Sequence, residues 1–519
     1  MRTGVPSVRT LALPAGLALL VWLLAAALRL RVVNQAVVGS DSLGPYLKAL
    51  ALTPTALWAG HLPRPPNPES GDLLWLSALP ILHLAGDLQQ LFTLRFLAGA
   101  LIAPLGLLAA WVWAAPEGLR SPGELLASRA PRPLVAGLAA GLVLAVDPGL
   151  IDSLLSGARG YGAPELLALL CLALGFAVRG SRLGAAVGAV ALAFAVDHHP
   201  LAIGAALGVL AMVPTLWRTL GGRGLLPAAG VLLLLALPRL LRLLALARCG
   251  DDPLSCLAAV AQSNVHEGEP FLLHLRDALH DRFRVDLDEP TSLGLLLGLL
   301  LARPWRVSIS AGPGALAIGA LAIGSLAGLL LVAALNGYLQ GYHLRILAAP
   351  LAVAAAVGLA RPAPLALLWA ALALWLGLPA APVGPDPGAV ARHDALATLL
   401  ADRPGPLWVD RLWWRGQPVL EPSGVVLSAW LQGQEAARFQ VGPAVPMILL
   451  SVGEACGTPL AEGRAEEAAT DWAVCALSRE EAVALRDRHP EAAPIQSGGA
   501  WDWVVALQPG REDSEAARW

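Results

Sequence analysis

Residues 11–28 read LALPAGLALLVWLLAAAL, and residues 38–46, a short step further on, read VGSDSLGPY. The first stretch carries no charge and approaches the roughly 20 apolar residues that a helix needs to cross a hydrocarbon layer. The second places one carboxylate, Asp41, just past the apolar end. A span followed at once by an acid at the membrane surface is the pattern that the rest of the chain extends.

Hydrophobic residues make up 56% of the 519 positions and charged ones 14%, with a mean hydropathy of +0.63. That is not the composition of an ordinary soluble globule. Repeated apolar runs make the chain a polytopic membrane protein, and its spans are expected to be helices, because a bilayer leaves no water to satisfy open backbone. A formal charge of -2, with no basic stripe interleaved with aromatics, argues against a nucleic-acid partner. Lys48 is the sole lysine. The excess of Ala, Gly and Pro is the mark of a GC-rich genome and carries no functional message.

Apolar length and arginine flanks predict about eleven spans. They cover 10–28, 92–114, 134–154, 163–178, 183–196, 200–217, 225–247, 291–302, 310–335, 344–360 and 363–381. With the N-terminus inside, the inner loops receive Arg2, Arg9, Arg120, Arg129, Arg132, Arg179, Arg182, Arg218, Arg223, Arg303, Arg306 and Arg361, as the positive-inside rule asks. Arg2 and Arg9 ahead of an apolar core also resemble a signal peptide. The many later spans make this first segment a retained helix.

On the proposed outer side lie the Asp41 loop, a loop holding Cys249 and Cys256, and the tail with Cys456 and Cys475; Cys171 falls inside a span. Two outer pairs fit disulfides in an oxidising compartment, with four unrelated thiols as the other reading. The tail, 383–519, has soluble composition. Strand-like runs at 407–409, 447–450 and 503–506 and a helical stretch at 478–489 predict a small α/β extracytoplasmic domain beside a transmembrane domain, 1–382, that includes a first outer loop, 29–91.

Asp41 can serve as a base for an acceptor hydroxyl or amine, or help hold a divalent metal. Ser40-Asp41-Ser42 suits a helix N-cap equally well. The stretch 64–72 is Pro-rich, and an amphipathic run at 71–90 follows it. In 147–162, Arg159 and Tyr161 can pair with a phosphate or anchor the chain at the interface. Arg239 and Arg242 share a helix face near the outer end of the seventh span, where arginine meets an anion or snorkels outward. Tyr342 and Arg345 open the tenth span with the same two readings. Asp197-His198-His199 joins spans five and six, and adjacent histidines cannot aim at one point, so no zinc set forms. No Walker loop, nucleophile elbow or dinucleotide fingerprint occurs.

In order and spacing, these pieces resemble the GT-C superfamily of integral-membrane glycosyltransferases, which contains the protein O-mannosyltransferases and the aminoarabinose transferases of lipid A. The resemblance runs over about 30–380. It rests on an acid after the first span, a juxtamembrane helical region and Leu94-Arg95-Phe96 at the second span. Arg159-Gly160-Tyr161, Phe194 to His199, and Tyr342-His343-Leu344-Arg345 complete it. It implies a polyprenyl-phosphate sugar as donor, bound from the outer leaflet of a bacterial inner membrane, and a cell-envelope acceptor. Asp41 would be the base or acceptor-orienting acid. Arg159, Tyr161, Arg239, Arg242, Tyr342, Arg345 and His198 would handle the donor phosphate and substrate. Many relatives carry two adjacent acids in the first loop where this chain has Ser-Asp-Ser, which leaves metal use open. A lipid or solute transporter or flippase, or a non-catalytic scaffold, are the alternatives. Polar residues that gather at the outer face rather than at mid-membrane favour the enzyme.

Overall fold

The computed structural model describes residues 8–38, 43, 46, 49, 72–116, 118–119, 122–126, 128, 130–155, 162–246, 313–336, 341–360, 363–378 and 389–401, and in the tail 407–408, 412–414, 417–420, 422–434, 439–440, 448–452, 472–477, 493–496 and 503–507. The first helix, α1, runs Val8–Leu30 and ends in a 3-10 turn at Val33–Gln35. After it come α2 (Asp72–Leu84), α3 (Leu88–Gly99), α4 (Ile102–Ala114) and α5 (Pro122–Leu126). Next are α6 (Pro131–Val146), α7 (Pro148–Leu155), α8 (Ala163–Ala177), α9 (Arg182–His198) and α10 (Ile203–Leu246). Then follow α11 (Pro313–Asn336), α12 (Gly341–Arg345), α13 (Ala348–Leu359), α14 (Ala363–Gly377) and α15 (Ala389–Ala401).

The predicted spans other than 291–302, which lies outside the described residues, are largely helical where they are described, but 92–114, 134–154 and 344–360 are each broken into two helices. The sixth and seventh lie in α10, which is two helices meeting at a kink at Gly221, whose φ of 64° is open to glycine and strained for other residues. Long, uninterrupted apolar helices are fewer than the predicted spans. Among the described residues, four stretches are long and apolar enough to cross a membrane, namely Ala12–Leu30, Leu88–Ala114, Ile203–Leu237 and Ala317–Ala334. The bent pair α6–α7 would make a fifth. The described helices therefore fall short of about eleven spans on length alone. The reason is geometric: at about 1.5 Å per residue, helices such as α8 and α13 are shorter than a hydrocarbon layer of about 30 Å.

The core is built from small side chains, which lets helices approach closely. α4 is buried among α1, α6, α8 and α13. A Cβ on Gly137 would sit 3.1 Å from the Leu107 carbonyl, and one on Gly141 2.9 Å from Leu107 Cβ. Between α10 and α11, Gly204 and Gly208 face Gly328 and Gly324. A Cβ on Gly328 would lie 2.7 Å from Gly204 Cα, and one on Gly324 2.8 Å from Gly208 Cα, so the two backbones touch through a small-xxx-small seam. The bundle's outer surface is apolar, with Leu20 63% exposed on α1 and Trp375 73% exposed on α14, as a hydrocarbon-facing surface requires.

The strand-like runs in the tail do form strands: β1 (Leu407–Trp408), β2 (Leu412–Trp414), β3 (Gln417–Leu420), β4 (Phe439–Gln440), β5 (Ile448–Val452), β6 (Trp472–Leu477), β7 (Ala493–Gln496) and β8 (Trp503–Leu507). Four of them make one sheet in the order β5-β6-β8-β7, with β5 and β6 parallel and the other pairs antiparallel. One helix, α16 (Pro422–Leu431), lies among them in sequence. The predicted helix at 478–489 lies outside the described residues. Helices α15 and α16 pack on α3 and on the turn that ends α1, sharing one apolar cluster through Val390 and Leu427.

Candidate functional site

α1 meets α3 and α6, α3 meets α7, α7 meets α12, and the C-terminal end of α9 meets α2 and the start of α8. Their polar side chains collect at these contacts. Arg29 is fully buried and donates through Nη1 to the carbonyls of Ala25 (3.2 Å) and Ala145 (3.1 Å), and through Nη2 to Leu144 (3.4 Å). It therefore closes the open carbonyls of α6's last turn, where cationic groups are favoured. Pro148 then begins a new helix and cannot continue the hydrogen-bond ladder of the old one, so α7 departs from α6 at 40°. Asp147, also buried, accepts from the Leu150 amide at 3.1 Å and starts α7. At the far end of α7, the Leu154 carbonyl accepts from Arg95 Nη2 (3.1 Å) and the Leu155 carbonyl from the Val37 amide (2.8 Å). Arg29 and Arg95 thus hold helix termini in place.

Arg345 does something different. Its Nη1 donates to Asp152 Oδ2 at 2.6 Å, joining α12 to α7. The arginine side chain is 10% exposed and the aspartate 50%. Arg345 Nε has no hydrogen-bond partner among the described residues. Beside it, the His343 ring packs on His199 with centroids 5.2 Å apart.

The adjacent histidines 198 and 199 point to different neighbours, as their positions on the chain require. His198 places Nε2 2.8 Å from Ser77 Oγ and Nδ1 2.7 Å from the Phe194 carbonyl. A carbonyl can only accept, so Nδ1 carries the proton and Nε2 receives the serine hydroxyl. Gly162, with φ of 75°, lies against this ring; a Cβ there would sit 3.2 Å from His198 Cδ2. His198 therefore ties the surface helix α2, the start of α8 and the end of α9 together. Asp197 and His199 are buried beside it.

Asp41 lies outside the described residues, as do Arg159 and Tyr161 and the side chains of Arg239, Arg242 and Tyr342. Leu43, Tyr46 and Ala49, just after Asp41, are helical and buried at three-residue spacing, so one helix face packs into the cluster that includes Phe92 and Phe96 of α3. Burial holds the Tyr46 hydroxyl above its ordinary value of 10, while nearby Arg95 draws it back. Cys171 is buried and free; Cys249, Cys256, Cys456 and the side chain of Cys475 lie outside the described residues. Among the described residues, no group of three or more His, Cys, Asp or Glu is placed to hold a metal ion.

Several functional-looking residues carried little signal in the sequence. Asp152 lies inside the 147–162 stretch, where Arg159 and Tyr161 drew attention instead. Arg29 closes an apolar run and, as an arginine at a span's end, could have been flagged. Ser77 is one polar residue in an apolar helix and has no local pattern to mark it.

No family model matches this sequence, and no curated protein does. Among solved structures the chain is similar to ArnT from Cupriavidus metallidurans bound to undecaprenyl phosphate. The TM-score is 0.51 and the identity 14%, over 95% of this chain and 97% of that one. The chain shares the fold of that protein over this range.

Proposed function

We propose that this chain is a membrane glycosyltransferase that moves a sugar from a polyprenyl-phosphate donor to a cell-envelope acceptor on the outer face of a bacterial inner membrane. The observation that carries the reading is the whole-length fold shared with a protein whose structure holds undecaprenyl phosphate. The buried guanidinium of Arg345, at the polar end of the bundle, supports it. A departing polyprenyl phosphate gains negative charge, and a preorganised guanidinium in a water-poor site stabilises that charge. In this reading Asp41 accepts the acceptor's proton or orients it. Arg159, Tyr161, Arg239, Arg242, Tyr342, Arg345 and His198 serve the donor side. Residues 1–382 form the transmembrane domain and 383–519 an extracytoplasmic domain, with Cys249–Cys256 and Cys456–Cys475 as disulfides. Metal dependence stays open in this proposal.

The test is sugar transfer from membranes charged with a labelled polyprenyl-phosphate sugar. Asp41→Asn is expected to abolish transfer while leaving expression and insertion intact. Arg345→Ala and Arg239→Ala are expected to weaken donor binding. Full transfer by the Asp41 variant would remove that residue's role; absence of donor binding by the wild type would remove the reading itself.

A further inference from the structure

We infer that Asp152 is a built-in surrogate for the ligand anion, occupying the seat on Arg345 until a phosphoryl group displaces it. The inference rests on the polyprenyl-phosphate reading and adds to it how the seat is kept and opened.

Three observations carry it. First, exposure is lopsided: the arginine side chain is 10% exposed and the aspartate side chain 50%, so an anion arriving from solvent or headgroup level meets Asp152 before Arg345. Second, the contact runs through Nη1 to one carboxylate oxygen, and Nε has no partner among the described residues. An arginine fork can offer two parallel N–H donors to one anion, and here its Nε donor is unspent. Third, the two partners sit on short, separate helices. Asp152 is on α7, eight residues long and bent 40° from α6, and Arg345 is on the five-residue α12, followed by a turn at Ile346 and Leu347. A rotamer change at half-exposed Asp152 separates them while Arg95 and Val37 keep the end of α7 in place.

The chemistry favours exchange. A buried arginine without an anion leaves a desolvated charge, so Asp152 keeps the empty site neutral. The released polyprenyl phosphate, a phosphomonoester unlike the sugar-linked donor, carries at neutral pH close to two charges and three acceptor oxygens, against one charge and two oxygens on the carboxylate. It competes better for the same fork and can engage Nε as well. The pair thereby discriminates by charge: weak anions do not evict Asp152, and a polyprenyl phosphate does.

The experiment measures binding of undecaprenyl phosphate to full-length protein in nanodiscs, with thermal stabilisation by inorganic phosphate as a parallel arm. Asp152→Asn keeps the shape and one hydrogen bond while removing the competing charge. It is expected to bind the lipid phosphate about tenfold tighter than wild type. Asp152→Glu keeps the charge and is expected to bind within about twofold of wild type. Arg345→Ala is expected to lose binding, and Asp152→Asn on that background to restore nothing. Equal or weaker binding by Asp152→Asn, in a protein that melts normally, overturns the surrogate while leaving the lipid-phosphate reading intact. If undecaprenyl phosphate binds to neither form but inorganic phosphate stabilises Asp152→Asn more than wild type, the anion seat stands and the lipid reading falls. If wild type and Asp152→Asn respond alike to both probes, the surrogate is overturned.

Discussion

Ser77 donates its hydroxyl to His198 Nε2 across 2.8 Å, joining two residues 121 positions apart in the chain. The Phe194 carbonyl fixes the proton on Nδ1, so the tautomer that accepts from Ser77 is the one the backbone enforces. The bond joins α2 to the end of α9, beside the apolar packing of α2 on the same helix.

Removing the hydroxyl leaves a buried ring nitrogen without a donor, which costs about 1–3 kcal/mol. Ser77→Ala is therefore expected to lower the melting temperature modestly and to speed amide exchange across residues 72–84. Ser77→Thr, which keeps the donor, is expected to stay near wild type. Exchange in 72–84 unchanged by the alanine variant would show that α2 is held by its apolar face alone.

The α10–α11 seam makes a sharper prediction. Gly204 and Gly208 face the backbone of α11, with no room for a side chain, whereas Gly16 of α1 has nothing within 4 Å of its would-be Cβ. Gly208→Leu is expected to force the helices apart and destabilise the protein by about 3 kcal/mol or more, in the range of severe overpacking. Gly16→Ala is expected to be neutral or to stabilise by about 0.5–1 kcal/mol, because alanine is the better helix former. Denaturant titration in micelles compares the two. A well-folded Gly208→Leu protein would mean that the seam opens without cost.

These contrasts mark what the sequence could reveal. Helix positions were legible because apolar runs and arginine flanks are local signals, and even the break in α10 is announced by Gly221-Gly222. The number of spans was less legible, since an apolar run includes capping and turn residues that the helix itself does not use. Partner choice was not legible at all. Arg345 was singled out as a cation at a span's end, but its partner Asp152 lies 193 positions away, and no periodicity links the two. The same holds for Asp394, whose neighbours are Leu88, Gln89 and Ser428.

Asp394 of α15 spans the predicted boundary between membrane and tail domains. Its two oxygens accept from the amides of Leu88 and Gln89, each at 2.9 Å, and it also receives the Ser428 hydroxyl. Those two amides open α3, where an anion suits the helix dipole. Burial raises the Asp394 pKa from 3.8; the bonds from Ser428, Leu88 and Gln89 lower it, and Asp87 raises it further. Because the folded pKa is the higher one, the folded state holds the proton more tightly than the unfolded chain. Stability from this group is fully present below about 3.8 and is lost as pH rises through the raised value. Asp394→Asn is expected to flatten that dependence and to remain stable at neutral pH. Asp394→Ala strands two helix amides and is expected to cost about 1–3 kcal/mol. Melting of the three proteins at a series of pH values from 3.8 upward checks it. Identical slopes for wild type and Asp394→Asn would show that the carboxyl does not titrate in this window.

Thiol chemistry tests the placement of the tail without reference to any reaction. Cys171 is buried in α8, and its backbone carbonyl accepts from Trp113 Nε1 at 2.8 Å, so it is sealed from aqueous reagents in the folded protein. If 383–519 and the 249–256 loop face an oxidising compartment, their four thiols pair, since disulfides persist there and not in the cytosol. Labelling of native protein with a polyethylene-glycol maleimide is then expected to add no mass without reductant. Unfolding in detergent without reductant is expected to add one label, at Cys171, and unfolding with reductant five, matching the five cysteines of the chain. Four labels on the native, unreduced protein would place those cysteines as accessible thiols and remove the disulfide argument for an outer tail.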